Sequence, residues 1–132
     1  MITLSPAHAA ARSAAALVAT LALLNSGSTG AVIQLYGTER PANGAAAGGV
    51  AMAGIVLPKP AGTIADGVLT LATAPDAMIY ITGDVVWARI EVSGSASLDC
   101  DVSDINGTAT IRLATTRLYA GGLVRMAAGV LS

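Results

Sequence analysis

Phenylalanine is absent from this chain, tryptophan occurs once and tyrosine three times. Any core must therefore be assembled from Ala, Val, Leu and Ile, of which the larger three contribute about 1.5–3 kcal/mol each when fully buried and Ala much less. A lone cysteine, Cys100, excludes an intrachain disulfide framework and is expected to be a buried structural thiol. Histidine is just as scarce. His8 is the only one and belongs to a different element from Cys100, so no Cys/His nucleophile is legible. No serine occupies a Gly-x-Ser-x-Gly elbow. Without a catalytic constellation the chain is read as a non-enzyme that needs no cofactor. Charged residues make up only 11%, seven basic against eight acidic. The basic ones are scattered from Arg12 to Arg125, which excludes the basic stripe that nucleic acid requires. A long hydrophobic run is missing too. The apolar stretch at residues 14–24 is about a dozen residues, against the roughly 20 that span a bilayer, so no membrane is expected. It could pass for a signal-peptide core, but Pro6 and His8 precede it and the first positive charge comes only at Arg12.

What is present suits one domain. A chain of 132 residues buries roughly 65–70% of its unfolded surface. A core of small residues should leave the monomer modestly stable and make association with copies or partners count. Ser5-Pro6 starts a helix, with Ser as N-cap and Pro where its missing N–H costs nothing. The helix should run over residues 6–25, with Leu17, Leu21 and Leu24 as its buried stripe, Ala14 one turn back, and left-handed Asn25 or Gly27 closing it.

From residue 31 onward, runs rich in Val, Ile and Thr alternate with Gly, Pro, Asn and Asp. Strands are predicted near 31–36, 50–57, 67–73, 77–82, 85–92, 97–102, 108–114 and 122–131. The fold class is mainly β: a single β-sandwich or jelly-roll-like domain of about eight short strands over residues 31–132, preceded by one N-terminal α-helix in a segment or arm at 1–30. Alternation puts Trp87, Arg89 and Glu91 on one face of their strand. That face is read as outward, with burial of Trp87 under the helix as the other reading. Asn106-Gly107 predicts a hairpin joining 97–102 to 108–114. The Ala/Gly run at 43–49 predicts a surface loop, mobile unless a neighbour holds it.

Asp99, Asp101 and Asp104 form the one carboxylate cluster. Oxygen ligands of this kind suit calcium, but the EF-hand pattern fails at Asp104 and Thr110, so a solvated acidic turn is the plainer reading. Glu39 and Arg40 predict a marginal ion pair in a solvated turn. Residues 115–119 read as a polar link before Gly121-Gly122.

At residues 34–41 an apolar strand, a glycine turn, paired charges and a proline meet in the order Gln-Leu-Tyr-Gly-Thr-Glu-Arg-Pro. With Trp87-Ala88-Arg89-Ile90, the run 98–102 and the closing strand from Leu123, this order resembles small structural proteins of tailed bacteriophages and prophages of Gram-negative bacteria. In that group a similar strand ends in Tyr-x-Gly-x-Arg-Pro. This chain departs from it by placing Gly37 directly after Tyr36. The resemblance implies a virion protein assembled in the bacterial cytoplasm, most simply a minor capsid or decoration protein. Its partners would be copies of itself and the major capsid protein, with Tyr36, Glu39, Arg40, Trp87 and Arg89 as assembly contacts. A tail or baseplate component and a carbohydrate-binding attachment module are the alternatives.

Overall fold

The structure, a computed structural model, describes residues 1–42 and 44–132. The expected mainly β chain with one N-terminal helix is what these residues form: α1 at Pro6–Leu24 and twelve strands. Ser5 caps α1 by accepting the His8 N–H at 3.2 Å, and Pro6 opens the first turn. Leu17 and Leu24 are buried and Leu21 packs against the same core, but Ala14 is not part of the stripe. Every residue from Ser5 to Ala16 is exposed. About 16 Å of helix, at 1.5 Å per residue over residues 6–16, therefore stands clear of the β domain. The exit also differs from expectation. Asn25 is right-handed (φ −89°), and its Oδ1 accepts the Ala61 N–H at 2.8 Å, tying the helix end to the sheet instead of reversing the chain. By length (19 residues) and mean hydropathy (1.5) α1 is able to cross a membrane, because the apolar stretch extends upstream of the dozen residues counted from the sequence.

The strands are β1 Val32–Tyr36, β2 Ala53–Val56, β3 Gly62–Ala65, β4 Val68–Leu71, β5 Ala77–Met78 and β6 Gly83–Asp84, then β7 Trp87–Val92, β8 Ser95–Asp104, β9 Ile111–Leu113, β10 Arg117–Leu118, β11 Leu123–Val124 and β12 Met126–Leu131. Eight of them make one sheet in the order β2-β1-β7-β8-β9-β12-β4-β3. A single core draws Ile33 and Ile55 from one end of that order, Ile90 and Ile111 from its middle and Leu69 from the other end. The sheet must curl for these to meet, which makes the domain sandwich-like.

Two hairpins use two-residue turns with both residues left-handed: Asp66-Gly67 (φ 52° and 74°) between β3 and β4, and Ser93-Gly94 (φ 51° and 79°) between β7 and β8. β3 was not among the expected strands, although Asp66-Gly67 is a hairpin signal of the same kind as Asn106-Gly107. At Asn106-Gly107 no hairpin forms. β8 and β9 do pair, but in parallel, Val102 opposite Ile111. The Asp104 carboxylate explains this, accepting the N–H groups of Asn106 (2.9 Å) and Gly107 (3.2 Å) in a side-chain-bonded turn that replaces the hairpin. The polar link at 115–119 contains β10. The remaining short strands pair as β5 with β11 and β6 with β10.

Candidate functional site

Along β7, Ala88 and Ile90 enter the core and Trp87 and Arg89 take the opposite face, as alternation requires. That face is covered, not outward. Trp87 is 1% exposed and Arg89 6%. Tyr36 stands opposite Trp87 in register, also buried, and the two rings stack with centroids 4.6 Å apart and planes at 15°. The Arg89 guanidinium carbon lies 5.2 Å from the Trp87 ring centroid, a cation–π contact shielded from water.

The register β7 to β8 sets Arg89 opposite Asp99, and a two-pronged ion pair follows: Nε to Oδ1 at 2.7 Å and Nη2 to Oδ2 at 3.1 Å. The side chains are 7% and 10% exposed. The hydrogen bond from Arg89 holds the Asp99 carboxyl below the usual carboxylate range, and the same bond raises Arg89. Burial, then the charge of Glu91, pushes the Tyr36 phenol up. The cover over this face is the Ala/Gly loop and not α1, whose neighbours are β3 and β4. Arg89 Nη2 also donates to the Ala45 carbonyl at 2.7 Å, and the Gly44 backbone bonds the Asp99 carboxylate. The loop, expected to be mobile unless held, is latched within the chain at Gly44 and Ala45.

Arg40 donates to the Asp99 carbonyl at 2.9 Å. Of β8, only residues 102–104 pair with β9, so among the described residues the first half of β8 has one unpartnered edge, and the Arg40 side chain blocks it at Asp99. Arg40, Pro41, Ala42 and Gly44 with residues 96–99 enclose an open groove of about 590 Å³. Glu39 is exposed and forms no ion pair among the described residues, so the expected pair with Arg40 gives way to the Arg40 bond to β8.

Of the five sequence-predicted contacts, Tyr36, Trp87 and Arg89 are therefore brought together inside the chain, and Glu39 and Arg40 alone remain on its surface. The carboxylate cluster disperses in the same way. Asp99 serves Arg89, Asp101 accepts the Thr110 N–H at 3.0 Å, which lowers its pKa, and Asp104 builds its turn. No group of three His, Cys, Asp or Glu able to hold a metal occurs among the described residues. Cys100 is buried, its thiol pushed up to about 11 by burial and then by Asp101. Trp87 Nε1 and Thr38 Oγ1 are buried without a hydrogen-bond partner among the described residues. Sequence reasoning missed Asp99 as the partner of Arg89. The Ser93-Gly94 turn alone would set residue 89 opposite 98; a register shift between Ile90 and Glu91, which the sequence does not announce, brings Asp99 opposite Arg89.

Chemically this constellation is a latch: it presents no activated nucleophile and no open acid–base pair, and it holds one loop down. No family model, no curated protein and no solved structure matches the chain.

Proposed function

We propose that this chain is a non-enzymatic assembly protein of a tailed-phage virion, a minor capsid or decoration protein that clamps neighbouring subunits of the major capsid lattice. The phage setting rests on the resemblance at residues 34–41 and 87–90. The observation that carries an assembly role is α1, exposed from Ser5 to Ala16 on a domain whose own core needs only Leu17, Leu24 and the flank of Leu21. A helix held at one end and free at the other is an arm. The latched loop presents Glu39 and Arg40 at a surface corner, ready for a neighbour. Burial of Tyr36 and Trp87 removes two of the four aromatic side chains that a sugar-binding face would need, which disfavours the attachment-module reading.

Copy number tests the proposal. Particles carrying this chain in numbers comparable to the major capsid protein support decoration, and a handful per particle moves it to the tail or baseplate. A chain lacking residues 1–16 should fold but fail to stay on particles. The length and hydropathy of α1 favour one rival, a membrane-anchored protein. Recovery of the chain in the membrane fraction of lysed cells, with none on particles, would establish that rival instead.

A further inference from the structure

Away from the latch, residues 76–84 and 117–125 run antiparallel as a narrow ribbon that is strand-paired at its two ends, β6 with β10 and β5 with β11. Asp84 stands opposite Arg117 and Met78 opposite Leu123, and the same register continues to Asp76 and Arg125. One face of this ribbon packs Ile79, Leu118 and Val124 into the core. The opposite face carries bulky apolar side chains that no described residue covers: Tyr80 (69% exposed), Leu123 (64%), Tyr119 (63%) and Met78 (53%). An ion pair closes each end, Arg117 to Asp84 at 3.5 Å and Arg125 to Asp76 at 2.6 Å, and the Arg117 guanidinium lies 5.5 Å from the Tyr119 ring centroid. The strand pairing is confined to the two ends of the panel, and a turn at 119–122, closed by the Gly122 N–H on the Tyr119 carbonyl at 3.0 Å, lies between them. Tyr, Met and Arg around an exposed apolar strip are the composition of a protein contact.

We infer that this panel pairs with the same panel of a second copy of the chain, about a two-fold axis parallel to the ribbon strands. The charge layout selects that occupant and that axis. Both acids, Asp76 and Asp84, lie on one arm of the ribbon, and both bases, Arg117 and Arg125, on the other. A two-fold along the strands lays each acidic arm over the basic arm of its mate, at both ends at once. A two-fold across the strands would set Asp over Asp and is excluded. The chosen axis thus sets opposite charges together at both ends of the panel. Such a contact is isologous and closes on itself. Two strands roughly 5 Å apart make a footprint well below the roughly 800 Å² per partner of a standard interface. The isolated pair is weak, and repetition in an assembly multiplies it. The pairing goes beyond the virion reading and does not depend on it.

Sedimentation equilibrium of the full chain up to roughly 1 mM, with two double variants, tests the pairing. The wild type should dimerise. R117D/R125D and D76R/D84R should each weaken self-association at least about tenfold, because like charges then meet at both ends. An equimolar mixture of the two variants should recover a heterodimer, a result that misfolding cannot produce. A wild type that stays monomeric overturns the inference, as does capture of a soluble glycan by Tyr80 and Tyr119 with no change in mass. So do variants that associate as the wild type does, which would place the contact elsewhere. Particle binding reads out separately: a monomeric chain on particles ends the pairing alone, and a dimerising chain absent from particles ends the virion proposal alone.

Discussion

Arg89 meets a carboxylate, a carbonyl and an aromatic face, and removing it strands Asp99 in a nearly dry site. Arg89→Ala should cost about 3–5 kcal/mol in urea unfolding followed by Trp87 emission. The double change Arg89→Met with Asp99→Leu should recover most of that loss, since a buried pair replaced by packed apolar groups is often neutral. The pH sign follows from the depressed Asp99 pKa. Its contribution is complete above the unfolded carboxyl value of about 3.9 and is lost as pH falls through the lower folded value, so wild-type stability should drop on acidification below about pH 4. In Arg89→Ala that component should shrink, which acid titration of both proteins will show. Cys100, with its thiol pushed up to about 11, is protonated and covered at neutral pH. It should resist alkylation at pH 8 until denaturant is added, and fast labelling of the native protein would contradict its burial.

At the scale of elements, α1 divides sharply. Leu24→Ala should cost about 2–5 kcal/mol by leaving a cavity where the helix meets the core. Deleting residues 1–16 should change stability by less than about 1 kcal/mol, because exposed side chains contribute little. A large loss on deletion would mean that the helix is packed along its length. The turns divide as sharply. Gly67 sits at φ 74°, so Gly67→Val should cost about 1–2 kcal/mol for the left-handed conformation alone, again by urea unfolding. Local chemistry predicted Asn106-Gly107 as the hairpin, yet Asp66-Gly67 and Ser93-Gly94 adopt that geometry. The difference lies in Asp104, whose carboxylate occupies the Asn106 and Gly107 N–H groups and sends the chain into a parallel return.

For the molecule as a whole, few charges and a small-residue core make surface contacts count heavily, and the ribbon panel and the free half of α1 are where unburied apolar surface gathers. Charged rungs at the panel ends predict that salt raised from about 50 to about 500 mM weakens dimerisation severalfold, measured by sedimentation. The strand and helix content, the Ser5-Pro6 start of α1, the buried Leu17 and Leu24, and the two-faced alternation of residues 87–92 were all legible in the sequence, because each depends on neighbours within a few positions. The fate of Trp87 and Arg89 was not. Alternation states that two faces exist, but which face is dry depends on a loop some 45 residues away along the chain laying Gly44 and Ala45 across it. Asp99 looked like one of three acids until the register set it against Arg89. The panel of Tyr80, Tyr119, Met78 and Leu123 likewise exists only once residues 76–84 meet 117–125. Sequence by itself determined the elements and their periodicities, which are local energies. Tertiary structure alone decided which faces are covered and which are left open, since burial is a property of pairs of segments and not of either one.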